Sequence, residues 1–154
     1  LGRKSLEECR AFYQAEYRPG KLTVISYEEN GAEIGRESLV TAKETERLTL
    51  VPEEHVMKAD GEDLVYVNIQ ITDDDGIVKL LKDRKISVRV EGAGTLRALA
   101  SGNPETVEKF SDAAYTSYHG RLLAIVQSNG EKGTVKVQVS AEGVEEASVE
   151  LEAK

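Results

Sequence analysis

Few side chains in this 154-residue sequence are of a type and spacing that could do covalent chemistry. Nucleophilic catalysis by Cys or Ser needs a base within reach, most often a histidine. The chain has two histidines, His55 and His119, and one cysteine, Cys9. His55 follows Glu53-Glu54 in a polar stretch, and His119 precedes Gly120 where a turn is expected, so both read as surface or turn residues. Cys9 has no motif around it, and a single cysteine excludes both an internal disulfide framework and a cysteine-cluster metal site. The run Asp73-Asp74-Asp75-Gly76 has the composition of a calcium loop. An EF-hand, however, needs oxygen ligands at positions 1, 3 and 5 with glycine at 6, and counting back from Gly76 puts Ile71 at position 1. The run is expected to be a solvated turn. Gly92-Ala93-Gly94 lacks the third glycine and the following helix of a dinucleotide fingerprint, and reads as a turn between strands. Two facing carboxylates could hydrolyse a glycoside. Among 28 acidic residues no pair stands out. The residues themselves thus nominate no catalytic group, metal site or cofactor site.

Binding chemistry is almost as sparse. Sugar-binding modules stack pyranose rings on exposed aromatics, and this chain has no Trp, six Tyr and two Phe. Tyr13, Tyr17, Tyr115 and Tyr118 are the side chains that could form such a platform, although most of the aromatics are spaced like core or edge residues. The net charge of −8 repels phosphate backbones and anionic lipid, so neither nucleic acid nor a membrane surface is an expected partner. With 40% hydrophobic and 31% charged residues the composition is that of a globular protein, and no stretch approaches the roughly 20 apolar residues that span a bilayer.

The elements that would position any site are strands. Alternation of apolar and polar residues runs through Leu64–Thr72, Lys85–Glu91, Thr134–Ala141 and Ala147–Ala153. It turns Val65, Val67, Ile69 and Ile71 to one face of the first, and Ile86, Val88 and Val90 to one face of the second. Val135, Val137 and Val139 are expected inward against outward Lys136 and Gln138, with Val149 and Leu151 inward in the last run. A slip of one residue would send each of these sets into water. Arg121–Ser128 is apolar on both faces and suits the middle of a sheet. Turns are expected at Asp75-Gly76, Gly92-Ala93-Gly94, Ser101-Gly102-Asn103-Pro104, Asn129-Gly130 and Gly143, where glycine supplies positive φ. Only Glu44–Arg47 and Pro104–Phe110 could hold a helical turn. Many short strands without crossover helices mean an all-β fold of antiparallel sheets, a sandwich or a barrel.

The strands divide into two groups. The first contains Ala11–Tyr17, Lys21–Glu28 and Glu33–Val40, with Pro19-Gly20 and Asn30-Gly31 as turns, and leads into a polar link from Thr41 to Glu46. Residues 1–46 are therefore expected to be a partial immunoglobulin-like module that lacks its N-terminal strands. Residues 47–154 hold about seven or eight strands, the content of one complete immunoglobulin-like sandwich. Pro104–Tyr118 is expected to be a long surface connection, with Phe110 and Tyr115 either anchoring a neighbouring module or capping their own sandwich.

Taken together, two stretches resemble the C-terminal tail of glycoside hydrolase family 2 enzymes of the β-galactosidase kind. The opening LGRKSL (Leu1–Leu6) is similar to the second half of that family's NGKSLGR strand. Tyr17-Arg18-Pro19-Gly20-Lys21-Leu22, running on to Tyr27, resembles its Y-x-PG-x-L hairpin, and Thr41-Ala42 its TA junction. Ala59-Asp60-Gly61 followed by Leu64–Gly76 is similar to the family's ADG-x-DL-x-Y-V-x-V-x-V-x-D-x-x-G, and Val90–Gly94 continues the match. Departures fall at Ser101–Pro104, where the family reads NGDP, at Tyr118–Leu123, where it reads F-x-G-x-A, and at Arg84-Lys85, where it is richer in small residues.

The resemblance implies two immunoglobulin-like sandwich modules forming the non-catalytic tail of a carbohydrate-degrading enzyme. In that family the acid/base and the nucleophile are glutamates on a separate β/α barrel, and the acid/base lies in an Asn-Glu motif. No Asn-Glu dipeptide occurs here, so no catalytic residue is carried over. The implied partner is the catalytic barrel of the same polypeptide, with a homo-oligomer through residues 1–44 as a second expectation. No cofactor or metal is implied. Two further classes share the strand pattern, an immunoglobulin-like cell-surface adhesin module and a carbohydrate-binding module.

Overall fold

A computed structural model describes residues 1–154 and contains no α-helix. The chain forms two compact units, Leu1–Thr41 and Ala42–Lys154.

In the first unit β1 (Lys21–Tyr27) and β2 (Glu33–Val40) form an antiparallel hairpin, pairing Lys21 with Val40 and Ile25 with Arg36. Its turn is built around Asn30, whose Oδ1 accepts the Ala32 amide at 2.8 Å, and Gly31 at φ 88°. The strand expected over Ala11–Tyr17 is absent. A strand exists only where a neighbour takes its amides and carbonyls. The hairpin is a sheet of two strands, and no third one joins it. The loop closes at Thr41, whose amide donates to the Gly20 carbonyl at 2.9 Å and whose Oγ1 receives the Gly20 amide at 3.2 Å.

The second unit is a sandwich of nine strands: β3 (Arg47–Pro52), β4 (Val56–Met57), β5 (Leu64–Thr72), β6 (Lys85–Gly92), β7 (Gly94–Ala100), β8 (Ala114–Thr116), β9 (Arg121–Ser128), β10 (Gly133–Ala141) and β11 (Val144–Ala153). One sheet has the order β3-β5-β9-β7 and the other β4-β11-β10-β6-β8. This is the two-sheet order of the immunoglobulin-like sandwich. Every pairing is antiparallel except that of β4 with β11, which is parallel. The first strand is thus split, with β3 on one sheet and β4 on the other.

The expected register holds. Val67, Ile69, Ile71, Ile86, Val135 and Val137 are fully buried, while Lys136 and Gln138 stay on the outer face. Val90 and Val149 are half-buried and pack against this core. As its two-sided apolar pattern requires, β9 lies between β5 and β7. Neither expected helical turn forms. In the first, residues 44–46 are irregular chain leading into β3 at Arg47, and the second is irregular chain held by Asn103 and Thr106 side chains on nearby amides.

Gly92-Ala93-Gly94 is the corner at which the chain leaves one sheet for the other. Gly92 has φ 88°, and a Cβ there would meet the Thr134 carbonyl oxygen at 2.1 Å. Ala93 drops into the core between the two glycines. Of the connection expected over Pro104–Tyr118, residues 104–113 contain no strand, but Tyr115 on the three-residue strand β8 is fully buried, which makes that part of the segment core.

Candidate functional site

His55 and His119 lie at opposite ends of the sandwich. The first is beside Glu150–Glu152 on β11, the second beside Leu80, where the turn before β9 begins. His119 occupies φ 50°, donates from Nδ1 to the Leu80 carbonyl at 3.0 Å and receives the Tyr118 ring edge-on at 4.2 Å. It is a structural turn residue. Cys9 is an exposed thiol of the first unit. No three His, Cys, Asp or Glu side chains are gathered in a metal-binding arrangement.

Of the two proposed contact residues, Tyr115 points into its own core, while Phe110 is 58% exposed. Their rings lie nearly parallel, 12° apart with centroids separated by 6.0 Å. Phe110 therefore offers one ring face outward and keeps the other toward the sandwich.

The most organised polar cluster is at the end of the sandwich where β3 begins, and its centre is Lys79, only 8% exposed. The Lys79 ammonium donates to the carbonyls of Lys43, Glu44 and Thr45 at 2.6, 2.9 and 3.0 Å. Three acceptors match its three protons, so the buried charge is fully partnered. Asp73, 2% exposed, completes the cluster with both carboxylate oxygens in use. Its Oδ2 accepts the Lys43 amide at 2.7 Å, and its Oδ1 accepts the amides of Asp75 and Ile77 at 2.9 and 2.8 Å. The Lys43 amide, opposed by burial and aided by the other two, holds the Asp73 carboxyl below its ordinary range.

Beside them Glu46 accepts both Nε and Nη2 of Arg84 from one carboxylate oxygen, at 3.1 and 2.7 Å. That hydrogen bonding, again against desolvation, lowers the Glu46 carboxyl too. Asp83 Oδ1 accepts Ser117 Oγ at 3.2 Å and the Gly120 amide at 3.1 Å, closing the cluster around the β9 turn. Every acid here is spent on a backbone amide, a hydroxyl or a cation of the same unit. The arrangement fixes loops and leaves no carboxylate poised as acid or nucleophile. In the sequence the triple-aspartate run marks the turn, whereas Lys79 is hard to single out. Its one signal is a charge embedded in the apolar run Ile77–Leu81.

Residues 48–150 match the family model described as "Glycoside hydrolase family 2 C-terminal domain 5". The chain belongs to this family. Among curated proteins this family 2 domain is 27% identical over 152 residues to the β-galactosidase BoGH2A of Bacteroides ovatus, covering 99% of this chain and 18% of that protein. Among solved structures, a family 2 member from Bacteroides cellulosilyticus superposes with a TM-score of 0.87 at 27% identity, over 91% of this chain and 18% of that one. A β-glycosidase from Bacteroides vulgatus gives 0.85 at 22% identity, over 92% and 18%, a likeness of fold. The chain thus spans about a fifth of the length of the relatives it matches. The match to the curated relative runs through both units.

Proposed function

We propose that this family 2 domain works as an architectural part of a β-galactosidase-like glycosidase, packing beside a catalytic barrel that carries both glutamates. The observation that carries the proposal is the 27% identity to a β-galactosidase over 99% of this chain but 18% of that protein. The side-chain inventory supports it, since Asp73, Glu46 and Asp83 are each committed to holding a loop. The boundary expected after residue 46 falls instead after Thr41, so that Leu1–Thr41 serves as the smaller module and Ala42–Lys154 as the complete sandwich. The exposed face of Phe110 is the residue-level contact toward a neighbouring module, with Tyr115 supporting it from beneath.

Incubating the purified 154-residue chain with aryl β-galactoside and aryl β-glucuronide tests the non-catalytic role. No turnover above background is expected. Turnover that co-purifies with the chain overturns the proposal.

A further inference from the structure

The stretch Thr41–Glu46 joins the two units and was expected to be a polar link. The hydrogen bonds within each unit point to something narrower. Thr41 is tied into the first unit by its amide on the Gly20 carbonyl, and by its Oγ1, which takes the Gly20 amide and bonds the Tyr17 hydroxyl at 3.2 Å. Lys43 is tied into the second by its amide on Asp73 Oδ2, its carbonyl on Lys79 Nζ and its ammonium on Asp75 Oδ2 at 2.7 Å. Glu44 and Thr45 are held by the same ammonium, and the Thr45 Oγ1 receives the Asp74 amide at 3.2 Å. Glu46 is held by Arg84 and Lys82.

We propose that Lys79 is a clamp that makes residues 43–46 a fixed part of the sandwich rather than a solvated link. The physical reason is the cost of ordering. Polar links ordinarily satisfy their carbonyls with water, and three consecutive carbonyls turned onto one buried ammonium give up that freedom only for strong, charge-assisted bonds. The inference rests on bonds inside each unit and is independent of the functional proposal above.

Amide hydrogen exchange on the full chain, read residue by residue, tests it. In the unaltered protein the amide of Lys43, which Asp73 holds, is expected to be as protected as those of β3. Lys79→Met, which keeps the aliphatic stem and removes the ammonium, is expected to speed Lys43 exchange about tenfold to a hundredfold while β9 and β10 stay protected. It should also open the Lys43–Glu44 bond to trypsin. Should Lys79→Met weaken the whole sandwich, Lys79→Ala with and without added n-propylammonium replaces it, and the amine is expected to restore protection of Lys43. Rapid Lys43 exchange in the unaltered protein overturns the clamp. So does Lys43 protection unchanged by Lys79→Met, or uniform loss across all strands that the amine does not reverse.

Discussion

At the scale of single residues, Gly92 and Gly143, at φ 88° and 74°, separate two kinds of constraint. At Gly92 an added methyl group collides with the Thr134 carbonyl oxygen, which is backbone and cannot rotate away, whereas at Gly143 it meets open space. Gly143→Ala is therefore expected to cost only the left-handed strain, about 1–2 kcal/mol. Gly92→Ala must add to it a displaced strand, and its cost is expected to exceed that of Gly143→Ala. Urea unfolding of the pair, with equal slopes, checks the order. The same comparison applies to side chains in the core. Ile69, fully buried between the sheets, should lose about 2–5 kcal/mol on truncation to Ala, against about 0.5 kcal/mol or less for Gln138→Ala on the outer face. Equal losses would mean that the faces of β5 and β10 are exchanged.

At the scale of elements, the loops at the β3 end are expected to be the acid-sensitive part of the sandwich. Asp73 and Glu46 both have lowered folded-state carboxyl pKa values, from 3.8 and 4.5 respectively. A group lowered on folding stabilises above its unfolded value and loses that contribution as pH falls through the folded one. The thermal midpoint should therefore drop as pH falls below about 4.5, and Glu46→Gln should shallow that slope while lowering the midpoint near neutrality. Differential scanning calorimetry across that range reads both. How legible these elements were depended on how local their cause is. Alternation is a property of adjacent residues, so the sequence pattern and the structure agree to the residue on the strands Leu64–Thr72 and Arg121–Ser128, and agree on the faces of β10. Pairing is not local. Ala11–Tyr17 has strand-forming residues but no neighbour, while β4, of two residues, exists only because β11 lies beside it. The Lys79 cluster was hidden for the same reason, because its partners are some 35 positions away in the chain. Three consecutive main-chain carbonyls have no side-chain signature.

At the scale of the whole molecule, the first unit is an incomplete hydrophobic assembly. Its hairpin leaves Leu22, Val24, Ile34 and Leu39 exposed, and both strand edges free of a third strand. Apolar residues on a two-stranded sheet with unpaired edges favour association with another chain. We expect the 154-residue chain to show a mass that rises with concentration in light scattering, and a shortened chain beginning at Ala42 to remain monomeric. Identical monomeric masses for the two would remove residues 1–41 as an interface.

The split first strand carries one more consequence. Because β4 runs parallel to β11, a pull that draws residue 42 and residue 154 apart slides these two segments past each other instead of peeling them. The Glu152 and Lys154 amides on the His55 and Met57 carbonyls, and the Ala59 amide on the Lys154 carbonyl, would all be strained together. Bonds loaded side by side must give way nearly at once, whereas bonds loaded end to end part in succession. Under tension the sandwich should therefore behave as a brittle link, yielding in one abrupt event at high force, with the rate of that event set by the unfolding barrier.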